Sequence, residues 1–253
     1  MAAMLVGGPR LVDLRALVSN CCECQHGPMA NTPGPLLLLG GAPFGSAPPL
    51  DRAVVDQLSS SHLVVIPTAS AYGHPERELL AAAEALSPHD ITVEGLMVLS
   101  HSEANAPEMA ERLQTAESIC LTDGSALHLK SVLKGTPLLE ALITAWQQGA
   151  TLIGVGAGAM VLTDPMVDPR GGALTTGLGL VESLAVVSHL GDMDQDPEGQ
   201  KFHRTVALAA SEILVLGLAA DAGVAISPTG ELTRLGEGRI EAYKAGEPVQ
   251  LFS

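Results

Sequence analysis

Apolar runs of strand length alternate along this chain with segments of helical periodicity, the signature of βαβ units around a mostly parallel sheet. Leu36–Leu39 is a continuous apolar run that stops at Gly40-Gly41, residues 51–58 read as a helix, and His62–Pro67 reads as the next strand. Pro75–Leu86, rich in Ala, Leu and Glu, predicts an amphipathic helix, and Ile91–Leu99 a strand. Glu103–Thr115 predicts one helix with Pro107 in its first turn. Ser118–Thr122 is a short strand, followed by helices at Ala126–Leu133 and Leu138–Gln148, the second ended by Gly149. The strand Thr151–Gly154 runs into Val155-Gly156-Ala157-Gly158-Ala159 at a strand-to-helix turn. Residues 164–177 are rich in Pro, Gly and Asp and read as a loop. Leu184–Val187 and Ile213–Leu216 read as strands, with a helix near 199–210 between them. Gly223–Ile226, Leu232–Leu235 and Gly238–Tyr243 read as short antiparallel strands.

The expected fold is therefore α/β: a three-layer α/β/α sandwich with a mostly parallel central sheet and a short antiparallel C-terminal edge. No repeat or low-complexity linker divides the chain, so residues 31–253 are expected to form a single domain. Met29 opens a segment that leads straight into the first strand, and residues 1–30 are expected to be a flexible extension.

Composition narrows the class. Hydrophobic residues make up 47% of the 253, but only three are Phe, two Tyr and one Trp, so the core must be packed from Leu, Val, Ile and Ala. No apolar run reaches the roughly 18–20 residues that span a bilayer. The N-terminus lacks a basic start followed by an apolar run, and the expected location is cytoplasmic, with no membrane partner. The net charge of −15 argues against nucleic acid, whose phosphates need Lys and Arg in place of counterions. A homodimer is compatible with the sequence.

Cys21, Cys22 and Cys24 with His26 invite a metal reading, but three cysteines within four positions do not match tetrahedral zinc spacing. Cys120 supplies no second pair. His74, His89, His101 and His128 are scattered among different elements. Asp192-Met193-Asp194-Gln195-Asp196 lacks the glycine and distal glutamate of a calcium loop and reads as a solvated acidic loop. Neither a metal nor a cofactor is expected.

The turn at 154–159 carries the clearest chemistry. An elbow-type serine hydrolase holds its nucleophile on a sharp strand-to-helix turn, where small neighbours relieve crowding and backbone N–H groups face the oxyanion. Gly154, Ala157, Gly158 and Ala159 meet the steric demand, but the nucleophile position is Gly156.

The wider pattern resembles the dipeptidase E and cyanophycinase family, whose fold is that of class I glutamine amidotransferase-like proteins. Gly154-Val155-Gly156-Ala157-Gly158-Ala159 matches the family's Gly-Thr-Ser-Ala-Gly-Ala elbow, and Ile66-Pro67-Thr68-Ala69-Ser70 its strand ending in Pro-Thr-Ala-Ser. Thr122-Asp123-Gly124-Ser125-Ala126 is an altered form of its Thr-Gly-Gly-Asp-Gln oxyanion turn. Gly177–Leu180 keeps its Gly-Leu-Gly-Leu segment, and His189 corresponds to its catalytic histidine. Its late acidic motif is reduced to Ala219-Ala220-Asp221-Ala222-Gly223. The resemblance spans about residues 35 to 245.

What the resemblance implies is a serine-type peptidase acting on aspartyl peptide bonds, with Gly124 and Ala157 offering oxyanion N–H groups. His189 is then the residual base, Gly156 the place of the lost nucleophile and Ala220 the place of the lost acid. Glycine cannot be acylated, so the family's covalent route is closed at Gly156. The resulting expectation is an impaired or inactive relative that keeps a cleft for a small peptide or aspartyl-containing ligand.

Two alternatives stand beside it. One is an active hydrolase with a displaced nucleophile, for which Ser125 and Ser188 are the nearest hydroxyls and Asp221 a substitute acid. Ser125 reads better as a helix N-cap, and Ser188 should point away from its neighbour His189. The other is a nucleotide-binding module at Gly154-x-Gly156-x-x-Ala159, which lacks the acidic strand end expected about 20 residues later.

Overall fold

In the computed structural model, residues 32–252 are described apart from 42–43, 45–47 and 192–196. The expected extension, the cysteine cluster with His26, and the acidic tract at 192–196 thus lie outside the described residues. The central sheet has seven strands: β1 (Leu36–Leu39), β2 (His62–Ile66), β3 (Thr92–Gly95), β4 (Ser118–Leu121), β5 (Thr151–Val155) and, later in the chain, two strands from 222 to 236. β1, β5, β4, β2 and β3 run parallel in that order.

The inner strands β1, β2, β4 and β5 have no polar face. Successive residues point to opposite faces of a sheet, and here both faces are covered, so the strands read as unbroken apolar runs. Leu36, Leu38, Val64, Ile66, Ile119, Leu121 and Leu152 belong to one core. It includes Leu129 and Leu133 of helix 126–133 and Leu142 and Trp146 of helix 137–147. Leu37, Leu39, Leu63, Val65, Cys120 and Ile153 belong to the other, with Val54 of α1 (Pro48–Val55) and Ala82 and Leu86 of α2 (Pro75–Leu86).

The helix expected over 103–115 is two: α3 (His101–Ala104) and α4 (Pro107–Leu113). Ser100 and Glu103 close a capping box that starts α3 early. Pro107 then holds Ala106 extended at φ −71°, ψ 123°, which interrupts the expected helix and makes Pro107 the first residue of α4. The strand expected over 91–99 is cut to Thr92–Gly95, because the Val98 N–H bonds the Leu96 carbonyl at 2.9 Å and turns the chain out of the ladder. α5 (Ala126–Leu133) and α6 (Pro137–Gln147) follow as expected, and β5 leads into the short α7 (Ala157–Val161).

The C-terminal third departs most. Within 164–177, expected as loop, β6 (Thr163–Asp164), β7 (Met166–Val167) and β8 (Leu174–Thr175) form small ladders; β6 pairs with β9 (Val181–Glu182). The late strands do not share one edge. β12 (Ala222–Ile226) and β13 (Leu232–Gly236) extend the central sheet antiparallel beyond β1. β10 (Leu184–Val187), β11 (Leu214–Leu218), β14 (Ile240–Lys244) and β15 (Glu247–Pro248) form a second sheet instead, and α8 (Pro197–Leu208) connects β10 to β11. Phe202 of α8 explains the separation in part: it is fully buried against Tyr243 with ring centroids 5.6 Å apart, anchoring β14 to this second layer.

Candidate active site

The carboxyl ends of β1, β4 and β5 lie side by side in the parallel sheet, the usual place for a ligand crevice in an open α/β fold. Gly156 follows β5 directly, with φ 51° and ψ −107°, a conformation that L side chains rarely adopt. Its N–H donates to the Leu39 carbonyl at 2.8 Å, which ties the turn to the end of β1. Gly154 and Gly158 are required by contact: a Cβ on either would come within 2.7 Å of Ala159 N or 2.4 Å of Leu121 O.

Asp123 lies two residues past β4. Its carboxylate fills the space that a side chain at 156 would occupy, since a Cβ on Gly156 would stand 2.1 Å from Asp123 Oδ1 and 2.2 Å from its Cγ. Oδ1 accepts the N–H of Gly124 at 2.7 Å and that of Ala157 at 2.8 Å. Oδ2 meets His189 Nε2 at 2.5 Å. The two N–H groups singled out from the sequence do converge, and what they converge on is a side chain of the protein itself.

The turn that delivers Asp123 is clamped by the loop after β2. Ser125 N–H donates to the Ala69 carbonyl at 2.8 Å, and Ser70 Oγ donates to the Asp123 carbonyl at 2.7 Å. Gly124 has φ +136°, and a Cβ there would lie 2.3 Å from Ala69 O, so both conformation and contact require glycine. His189, two residues past β10, also has positive φ (55°), and its N–H bonds the Gly40 carbonyl at 2.8 Å. The second sheet thus hands its histidine to the end of β1. Ala220 lies beside it: a Cβ built on Gly41 would be 2.8 Å from Ala220 Cβ and 3.0 Å from His189 Cε1. No carboxylate stands at 220 to orient the ring.

The other candidates are placed elsewhere. Ser125 Oγ accepts the His128 N–H at 3.3 Å as the N-cap of α5. Ser188 is buried and its hydroxyl donates to Met160 Sδ at 3.2 Å. The Asp221 carboxylate packs on Gly238, where a Cβ would meet its Oδ1 at 1.9 Å. His101 and His128 bond the carbonyls of Val132 and Leu99, and His74 lies 3.4 Å from Glu76. His89 ends the short 3-10 turn Ser87–His89. Cys120 is buried, and burial pushes its thiol well above the usual range. Among the described residues no cluster of His, Cys, Asp and Glu could hold a metal ion. A pyrophosphate at the 154–159 turn would meet the Asp123 carboxylate on the N–H of Ala157, so like charge opposes that use.

Burial alone would raise the Asp123 pKa, but the bond and charge of His189 and the N–H groups of Ala157 and Gly124 outweigh it and hold the pKa below the ordinary value. The carboxylate is thereby kept ionised. Its charge acts on Glu78 in turn: partial burial, then Asp123, raise the Glu78 pKa. Glu78 and Arg77, with Ser70, Tyr72 and His74, line a cleft of about 460 Å³ that reaches Gly124 and Ser125.

Sequence reading missed Asp123. The available signal was a reciprocal exchange: an acidic residue in the first glycine position of the oxyanion turn, and a glycine in the serine position of the elbow.

Fold and turn together define a protein built on a hydrolase scaffold of the elbow type. The model of peptidase family S51 matches residues 36–235, and the chain belongs to that family. It is 33% identical over 107 residues to a cyanophycinase from Synechococcus elongatus, covering 38% of this chain and 33% of that one. It is 26% identical over 160 residues to a cyanophycinase from Trichormus variabilis, covering 58% and 52%. These matches span only a third to a half of the cyanophycinases. A peptidase from an acI-B1 actinobacterium has the same fold, with a TM-score of 0.70 at 21% identity over 88% of this chain and 99% of the other. No helix among the described residues is long and apolar enough to cross a membrane.

Proposed function

We propose that this chain is a family S51 member that does not cleave peptides by the serine route and that retains a cleft for a small aspartyl-containing peptide. One observation carries the reading: the volume of a side chain at 156 is taken by the Asp123 carboxylate. A peptide hydrolase of this type needs a hydroxyl at 156 and two vacant N–H donors for the carbonyl oxygen of its substrate. Here the hydroxyl is absent and both N–H groups of Gly124 and Ala157 already serve Oδ1. Ala220 beside His189 adds to the case, because nothing at that position orients an imidazole as base. Glu78 and Arg77 in the neighbouring cleft offer charges of both signs, which suits a zwitterionic peptide.

Incubation with β-aspartyl-arginine, Asp-X dipeptides and cyanophycin is expected to give no turnover, and a fluorophosphonate probe to label no serine. Peptide turnover that disappears in His189→Ala would overturn the proposal. The displaced-nucleophile alternative requires one labelled serine, and Ser125 in its capping role is poorly placed for it. A cytoplasmic location and a homodimer belong to the same reading and are checked by fractionation and by sedimentation.

A further inference from the structure

The cleft beside Gly124 is lined by two side chains that take no part in the contacts around Asp123. Tyr72, between β2 and α2, is the most exposed of the large hydrophobic side chains described, at 85%. Its ring is nevertheless held in place, packed against His128 with centroids 4.6 Å apart. His128 is fixed in turn by its Nε2 bond to the Leu99 carbonyl at 3.1 Å. Glu78, in the first turn of α2, lines the same cleft and is half-buried. Burial and the negative charge of Asp123 act on it together, and both disfavour its ionised form. No hydrogen bond or ion pair among the described residues offsets them. The basic side chains of the lining do not supply one: His74 lies 3.4 Å from Glu76 instead, and Arg77 is exposed to solvent.

We propose that this cleft binds an organic cation, an ammonium or guanidinium group that pairs with the Glu78 carboxylate and packs on the Tyr72 ring. The inference rests on the reading of the cleft as the ligand site and adds the charge of the group bound and its two partners. A cation gives the half-buried carboxylate the partner it lacks, and an aromatic face attracts the same charge through its quadrupole. Both effects ask for a positive ligand. An anion would be repelled by Glu78 and Asp123 together, and a neutral apolar group would strip water from Glu78 without replacing it. A metal ion is served no better, because it needs several ligands and no described cluster of His, Cys, Asp and Glu supplies them. The space of about 460 Å³ takes a chain of several carbons behind the charged group. The net charge of −15 draws such a ligand from solution.

Isothermal titration of the full chain tests the site with two probes, one for each source of the charge. Cadaverine is a free diamine, and Nα-acetyl-lysine amide is a basic residue with a peptide bond on each side. Both should bind; the tighter of the two assigns the site to a free amine or to a basic residue of a peptide. The diol analogue of cadaverine, the same chain without charge, should not bind. Glu78→Gln should weaken cadaverine by about tenfold or more. Tyr72→Leu should weaken it about two- to fivefold, whereas Tyr72→Phe, which keeps the ring, should stay close to wild type.

Cadaverine that does not bind wild type would overturn the proposal. So would equal binding by wild type, Glu78→Gln and Tyr72→Leu, which would mean only a counterion atmosphere around an acidic protein. Tyr72 is exposed, so Tyr72→Leu decides the question even if Glu78→Gln fails to fold. Binding of an Asp-X dipeptide without binding of cadaverine would sink the cation site and leave the peptide cleft standing.

Discussion

Asp123 and Gly156 are complementary: the carboxylate of one lies where the side chain of the other would begin, with Oδ1 2.1 Å from the position of a Cβ on Gly156. The two residues sit at the ends of neighbouring parallel strands, Leu121 and Gly154 being paired in the ladder. A change at either is therefore felt at the other.

Gly156→Ser alone is expected to destabilise by about 1–3 kcal/mol, because it adds a clash to a backbone at φ 51°. Asp123→Gly in the same chain should recover part of that loss. A double-mutant cycle should give a coupling of about 1 kcal/mol or more. The double variant, but not Gly156→Ser, is expected to accept a fluorophosphonate probe, since only it frees the N–H groups of Gly124 and Ala157. Additive stabilities from thermal denaturation would contradict the coupling.

Asp123 also sets a pH dependence. Its pKa is lower folded than unfolded, so its contribution to stability is present above the ordinary aspartate value near 4 and lost as pH falls through the folded value. Acid unfolding followed by circular dichroism should show wild type losing more stability below about pH 4 than Asp123→Asn. Parallel curves would argue that the carboxylate is not held by His189 and the two amides.

Glu78 acts in the opposite sense. Its pKa is raised by burial and by Asp123, so the ionised form is disfavoured in the fold and stability declines as pH rises past its unfolded value. Glu78→Gln is expected to raise stability at pH 7, by under about 1 kcal/mol given its partial exposure, seen as a higher melting temperature, and to do nothing at pH 3. A lower melting temperature at pH 7 would mean that Glu78 has a stabilising partner.

Ser125→Ala tests the cap. Removing the oxygen that accepts the His128 N–H should cost about 1 kcal/mol in thermal denaturation and leave fluorophosphonate labelling unchanged. An unchanged melting temperature would mean that the Ser125 hydroxyl does not hold the helix start.

Much of this fold was legible because the strands are buried on both faces. Leu36–Leu39, Pro75–Leu86, Ala126–Leu133 and Leu184–Val187 fall where their periodicity puts them. The errors have local causes: Pro107 splits a helix, the Leu96–Val98 turn shortens a strand, and the small ladders at 163–175 carry no periodicity. Gly156, Gly124, Ala157, His189 and Ala220 were marked by sequence, and the fold brings all five to one place.

The sequence by itself determined the alternation of elements, the membership in peptidase family S51 and the absence of a hydroxyl at 156, since each is written in local pattern or residue identity. Tertiary structure alone decided what replaces that hydroxyl. Asp123 and Gly156 are 33 residues apart and Asp123 and His189 are 66, and no local pattern encodes where a carboxylate will point. Parallel pairing of β4 and β5 brings the first two together, and the second sheet delivers the third. A glycine that reads as a loss along the chain is, in three dimensions, the space that admits an aspartate.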